Sequence, residues 1–276
     1  MRIDSHQHFW SLARGDYHWM GDGPALAPIR RDVLPENMRP ILKRHGIDKT
    51  VLVQAAATVE ETEYMLGLAD ATDFVAKVVG WADFEQPSHR HHLERFAKHA
   101  KFSGVRPMIQ DIADADWMFR RDVQWGYEAL IDLDLTFDAL GFPLHVDRFR
   151  RLIARYPKLR VVIDHCLKPK IRDGSFEDWA RDMERLAEET TAVCKLSGLV
   201  TEARPDWTAE TLQPYAAHIL RVFGPQRVMW GSDWPVVDLA GGYDLWWQAT
   251  ETLLAGTEDA DDILGGTAAR FYRVTG

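Results

Sequence analysis

A single (β/α)8 barrel is the fold this sequence predicts, on three observations. Eight short runs of β-branched and apolar residues alternate with segments of helical period along the chain. No Gly/Ser-rich linker or shift in composition divides the 276 residues, a length typical of such barrels. A doubly wound open sheet would normally place a Gly-rich phosphate turn after its first strand; here that position holds His6-Gln7-His8. One domain spanning residues 1–276 follows.

The first strand is expected over residues 2–8. Side chains alternate between the faces of a strand, which would aim Asp4, His6 and His8 the same way. Two imidazoles about 7 Å apart along one face can close on a single divalent ion or a single substrate. An irregular stretch then runs to about residue 34, and its Trp10, Tyr17 and Trp19 favour an ordered lid over disorder. A helix over 35–45 starts at Pro35 and stops at Gly46.

Strand and helix then alternate. Thr50–Gln54 precedes a helix around 59–72, and Phe74–Trp81 leads through Asp83 to a helix capped by Ser88. Phe102–Arg106 ends at Pro107, which cannot continue a central ladder. A helix near 117–131 leads into Leu135–Asp138, and residues 143–156 carry Val146, Phe149, Leu152 and Ile153 at helical spacing. Leu159–His165 is the sixth strand, followed by a helix that Ser175 would cap. Ala192–Ser197 is the seventh, and Thr208 opens the next helix. Arg227–Gly231 is the eighth, with helical segments near 243–255 and 258–273 closing the chain.

Composition bounds the partners. A net charge of −9 argues against nucleic acid and anionic membranes, which need a basic face. The two cysteines, Cys166 and Cys194, lie in apolar runs and read as reduced thiols. No apolar leader opens the sequence and no run approaches the roughly 18 residues that span a bilayer, so a soluble cytoplasmic protein is expected. The oligomeric state is not legible.

Active sites of such barrels gather at the C-terminal ends of the strands. Those ends carry His6, His8, Gln54, Asp83, Arg106, Asp138, His165, Ser197 and Asp233. A purely structural barrel has no evident reason to collect so many titratable groups where each costs desolvation. Among the 11 tryptophans, Trp117, Trp179, Trp246 and Trp247 suit the core, whereas Trp10, Trp81 and Trp234 follow strand ends and suit an apolar wall at the mouth.

His6-x-His8, Asp164-His165-Cys-Leu-Lys168-Pro and Gly231-Ser-Asp233-Trp234-Pro, in this order at strand spacing, resemble the amidohydrolase superfamily. More narrowly they resemble its amidohydrolase-2 branch of lactone hydrolases. The resemblance extends to the closing Gly266–Tyr272 segment. Binuclear members bridge two metals with a lysine from strand four; here that place holds Arg106, which stays protonated and cannot ligate a cation. A two-metal site is not expected. The resemblance implies at most one divalent ion, zinc by ligand chemistry, on His6, His8, His165 and Asp233. Similar lactonases work without metal, so an obligatory ion is not implied.

The resemblance also implies roles. Asp233 would take a proton from the attacking water and return it to the leaving alkoxide. His165 would polarise the carbonyl and stabilise the oxyanion. Substrate contacts are expected from Trp10, Gln54, Asp83, Arg106, Asp138, Lys168, Glu202 and Trp234, with Arg106 equally readable as a structural partner of Asp83 or Asp138, Lys168 as orienting the loop after strand six, and Glu202 as an exposed loop residue. A lining poor in cations suits a neutral sugar lactone, of fucono, galactono or rhamnono type. The alternatives are a pyrone-dicarboxylate or muconolactone hydrolase, which would need cations to pair anionic groups, and a metal-dependent decarboxylase of the same branch.

Overall fold

A computed structural model describes residues 1–275. Eight strands form one parallel sheet: β1 (Ile3–Gln7), β2 (Lys49–Val53), β3 (Val75–Gly80), β4 (Phe102–Val105), β5 (Thr136–Ala139), β6 (Arg160–Ile163), β7 (Val193–Leu196) and β8 (Val228–Trp230), each hydrogen-bonded to the next in sequence. The seam between last and first strand closes just past β8, where Asp233 N–H donates to His6 O at 2.8 Å and His8 N–H to Trp234 O at 2.8 Å. The helices are α1 (Pro35–His45), α2 (Val59–Asp70), α3 (Arg90–Phe96), α4 (Gln124–Asp132), α5 (Val146–Arg155), α6 (Glu177–Glu189), a short α7 (Leu199–Glu202), α8 (Ala209–Phe223), α9 (Tyr243–Leu253) and α10 (Thr267–Tyr272). No helix among the described residues is long and apolar enough to cross a membrane. The barrel expected from the alternation is the barrel observed.

Two hydrophobic layers hold it. Ile3, Val51, Val53, Val79, Val162 and Met229 form an inner cluster, and Ala268 and Tyr272 of α10 pack into it from below as a floor. A larger cluster fills the space between strands and helices, including the four tryptophans expected in the core. The amphipathic α5 shows why such helices form: Val146, Phe149, Leu152 and Ile153 are buried, and its arginines lie on the other face.

Several local expectations change. Ser88 and Ser175 make no side-chain cap, because short 3-10 turns precede α3 and Phe176 takes the N-cap position of α6. The segment near 117–131 divides into two 3-10 turns before α4. Most consequential is β1, where three residue steps (Asp4 to Gln7) oppose two on β2 (Thr50 to Leu52). That bulge reverses the alternation. Asp4 therefore does not share a face with His6: its Oδ2 accepts from the Tyr243 hydroxyl of α9 at 3.2 Å, and its Oδ1 accepts from Ser232 N–H at 2.9 Å and His6 N–H at 3.2 Å.

Asp4 is thus a clamp on the turn that presents Asp233. Burial pushes its carboxyl up to about 6, against the hydrogen bonds that favour the anion. Replacing Asp4 with alanine would strand two backbone N–H groups and one hydroxyl in the interior. A loss of about 2–4 kcal/mol is expected from such orphaned donors, readable as a lower denaturant midpoint.

Candidate active site

The mouth of the barrel is built from strand ends that the chain distorts. His165 to Lys168 adopt left-handed φ of 53°, 51°, 55° and 51°, although none is glycine. Each such residue costs roughly 1–2 kcal/mol, so the surrounding structure must over-determine this turn. Trp179 Nε1–H donates to Cys166 O at 2.8 Å, Cys166 Sγ–H to Lys195 O at 3.3 Å, and Lys168 Nζ reaches Gln110 Oε1 at 2.5 Å. The result is that His165 and Lys168 both line one cavity. Asp233 is also left-handed, at φ 58°, in the turn that Asp4 holds.

Three imidazoles converge on one carboxylate oxygen. Asp233 Oδ1 lies 3.3 Å from His8 Nε2, 3.7 Å from His6 Nε2 and 3.9 Å from His165 Nε2. His8 Nδ1 lies 2.7 Å from Val53 O, which can only accept, so the proton of a neutral ring sits on Nδ1 and Nε2 turns a lone pair toward Asp233. Two lone pairs facing each other call for a proton or a cation between them. His165 Nδ1 pairs with Ser197 Oγ at 2.9 Å, leaving Nε2 toward the cavity.

Beneath His6 lies a buried charge network. Lys195 Nζ, fully buried inside the barrel, lies 2.6 Å from Asp138 Oδ2, 3.0 Å from Asp164 Oδ1 and 3.1 Å from His6 Nδ1. Asp138 also accepts from the Tyr272 hydroxyl of the floor helix at 2.7 Å. Arg106 Nη1 approaches His6 Nε2 at 3.2 Å and Asp164 Oδ2 at 3.6 Å, and its Nη2 donates to the Gln54 carbonyl.

Ionisation follows from these contacts. Burial resists charge on Asp233, but His165, His8 and His6 outweigh it and hold the carboxyl well below the usual range. Burial pushes the His165 imidazole down to about 4, against the pull of Asp233 and Asp164. Burial and Lys195 hold His6 well below its ordinary value. At neutral pH the site therefore presents an anionic carboxylate beside the neutral imidazoles of His6 and His165.

A cavity of about 270 Å³ opens over this cluster. His8, Arg106, Gln110, Asp111, His165, Lys168 and Asp233 form its polar side; Trp19, Leu26, Ala55, Met108, Leu140, Val236 and Leu239 form its apolar side. A larger cleft of about 700 Å³, at the opposite end of the barrel, is lined by Met1, Arg2, Asp48 and acidic residues near 258–262. It carries none of the chemistry expected at the strand ends.

The structure brings His6, His8, Arg106, His165, Lys168 and Asp233 together and separates the other expected contacts from the cavity. Gln54 is fully buried, its Nε2 donating to Arg106 O at 2.8 Å, so it fixes the arginine from behind. Asp138 is committed to Lys195 and Tyr272 below the mouth. Asp83 lies in a neighbouring depression with Trp81 and Trp117. Arg106 pairs with Asp164, rather than with Asp83 or Asp138. Glu202 stands behind Lys168 and off the cavity wall; burial raises its carboxyl and Lys168 opposes that.

Trp10, at the start of the lid segment, and Trp234 are buried in the core, at 0% and 2% exposure. The apolar wall expected of them is supplied by Trp19, whose path over the mouth no local periodicity foretold. Lys195 was missed as well, although a lone lysine inside the apolar run Ala192–Leu196 was a signal for it.

A family model described as amidohydrolase matches residues 3–274. The chain belongs to the amidohydrolase family. This amidohydrolase is 41% identical over 280 residues to an L-fucono-1,5-lactonase of Burkholderia ambifaria, covering 99% of the chain and 96% of that protein. It is 36% identical over 293 residues to an L-fucono-1,5-lactonase of Burkholderia multivorans, covering 99% and 96%. Among solved structures, an amidohydrolase from Burkholderia multivorans crystallised with bound zinc superposes with a TM-score of 0.93 at 34% identity, covering 100% of both chains.

The donors of this amidohydrolase fit a single divalent ion. His6, His165 and Asp233 each place a ligand atom within 4.8 Å of the others, all three buried, and His8 turns its Nε2 lone pair to the same oxygen of Asp233. Arg106 shares that space as a permanent cation.

Gly198 has a positional reason. At φ +65° a side chain is strained there, and a Cβ would stand 2.7 Å from His165 Cγ and Nδ1. Gly198→Ala should displace the imidazole and lower kcat by about tenfold to a hundredfold, the loss expected if a ring contacting the substrate moves by about 1 Å. Steady-state kinetics beside a melting curve checks this.

Proposed function

We propose that this amidohydrolase hydrolyses a sugar lactone of the fucono, galactono or rhamnono type to the open acid. The observation carrying the chemistry is the anionic Asp233 carboxylate, ringed by three imidazoles at the base of a cavity sized for one small ring. The named L-fucono-1,5-lactonases, matched over nearly their whole length, support the substrate class. So does the lining: one apolar side for the ring and carbon chain, and the amide and carboxylate of Gln110 and Asp111 for hydroxyls.

In this reading the lactone carbonyl points to His165 Nε2 and the Arg106 guanidinium, which donate to it as negative charge develops. Asp233 takes a proton from a water held against C1. That water oxygen bonds to C1, the ring C–O bond breaks, and Asp233 returns the proton to the departing ring oxygen. Lys168 and Gln110, already joined, orient hydroxyl groups at the rim. A zinc ion held by His6, His8, His165 and Asp233 would supply Lewis-acid polarisation of the carbonyl in place of the His165 hydrogen bond. Nothing in the residue roles requires it.

The pyrone or muconolactone alternative would seat anionic groups beside Asp111 and Asp233, with Arg106 and Lys168 as the available cations. A panel assay separates the readings. Purified protein should acidify an indicator solution of L-fucono-, L-galactono- or L-rhamnono-lactone. Turnover of aromatic-derived lactones alone, or carbon dioxide release from an aromatic acid, would overturn the sugar-lactone assignment.

The pH profile is fixed by the same contacts. Because His165 titrates near 4, it stays neutral through the physiological range, and Asp233 ionises at still lower pH. The turnover number should therefore hold level as pH falls past the ordinary imidazole value of about 6.5 and drop only toward about pH 4. A midpoint near 6.5 in kcat would show that the ring is not desolvated as described.

A further inference from the structure

One buried carboxylate is unused by the mechanism above. Glu61 projects from α2 with 0% exposure. Its Oε2 accepts from the Tyr17 hydroxyl at 2.8 Å, and its Oε1 accepts from Ala55 N–H at 3.1 Å. Arg14 Nε lies 3.6 Å from Oε2. Tyr17 and Arg14 belong to the 9–34 segment, and Ala55 belongs to the turn after β2 that lines the cavity. The carbonyl of that same Ala55 accepts from Trp19 Nε1–H at 2.8 Å, and Trp19 is part of the apolar side of the cavity. A single carboxylate therefore ties the lid to the peptide that seats Trp19.

We propose that Glu61 is a positioning residue that latches the 9–34 segment closed over the cavity, so that it governs substrate affinity and not the bond-breaking step. This rests on the cavity being the substrate site. Trp19 itself is the loosely held part of the segment: it is 39% exposed and its indole meets Trp10, edge to face at 5.7 Å, and the Ala55 carbonyl, whereas Met20, Ile29 and Val33 are anchored in the core.

The latch responds to pH with a definite sign. Burial raises the Glu61 carboxyl from 4.5 to about 7, opposed by Tyr17, Ala55 and Arg14 and reinforced by Asp16. Tyr64 of α2 also faces this group, and Asp32 and Glu36 are near enough to Tyr64 to raise its hydroxyl as well. A carboxyl that titrates higher when closed than when solvated takes up a proton on closing. Closure is thus favoured in mild acid and weakens as pH rises from about 4.5 toward about 7.

The test compares Glu61→Ala and Glu61→Gln with the parent protein by lactone kinetics and by hydrogen exchange of the amides between residues 9 and 34. Glu61→Ala should raise KM about tenfold, the scale of losing one or two buried hydrogen bonds, with kcat within twofold and faster lid exchange. Glu61→Gln cannot ionise; it should keep the parent's KM in mild acid and remove the rise of KM with pH. Unchanged KM and unchanged lid exchange in Glu61→Ala would overturn the latch. So would a pH-dependent KM that survives in Glu61→Gln. If the parent turns over no lactone, the function assignment fails by itself, and the exchange data still decide whether Glu61 holds the lid.

Discussion

Asp233→Asn should lower kcat for lactone opening by about 10³- to 10⁴-fold, the range lost when a positioned proton carrier is removed. Asparagine keeps the volume and one acceptor oxygen, so the left-handed turn, the Asp233 N–H bond to His6 O at 2.8 Å and the clamp by Asp4 at Ser232 should survive. What goes is the only carboxylate among the described residues on which His6, His8 and His165 all converge. KM should change little, since the ring is held mainly by other walls. A melting temperature near the parent's, paired with collapsed turnover, is the expected result. Activity within tenfold of the parent would move the proton transfer to another group.

Lys195→Met should be the most destabilising single change in the barrel interior. The ammonium has three donors and lies within 3.1 Å of three buried groups, the carboxylates of Asp138 and Asp164 and the His6 ring. Desolvation alone would raise both carboxyls, and Lys195 is the largest influence opposing that on each. Removing one partner of such a cluster leaves uncompensated charge and costs about 3–5 kcal/mol. Denaturant unfolding should register that loss, and the double change Lys195→Met with Asp138→Asn should recover part of it. Equal stability of parent and Lys195→Met would show that the network is not charged as described.

Much of this was legible in the residues, for identifiable reasons. Pro35 and Gly46 mark the ends of α1 because each punctuates the backbone locally, and the helix runs Pro35–His45 as expected. The strand ends announced His6, His8, His165 and Asp233 because a barrel delivers all its C-terminal ends to one mouth. Parity arguments failed where register intervened. A bulge in β1 turned Asp4 outward, and Asp138 lies one residue short of the end of β5, below the mouth and within reach of Lys195. Trp10 and Trp234 are adjacent to strand ends in sequence but are buried in the core, and Trp19 reaches the cavity through a loop whose course depends on Glu61 and Ala55. Those contacts join residues about forty positions apart, which no window of local pattern can register.

The most direct test is the structure of the Asp233→Asn variant soaked with a sugar lactone. The account predicts the ring in the cavity bounded by Trp19 and Lys168, its carbonyl oxygen within hydrogen-bond distance of His165 Nε2 or Arg106, and C1 facing the side chain of residue 233. A lactone seated with its carbonyl turned away from these groups, or bound in the acidic cleft at the other end of the barrel, would contradict it.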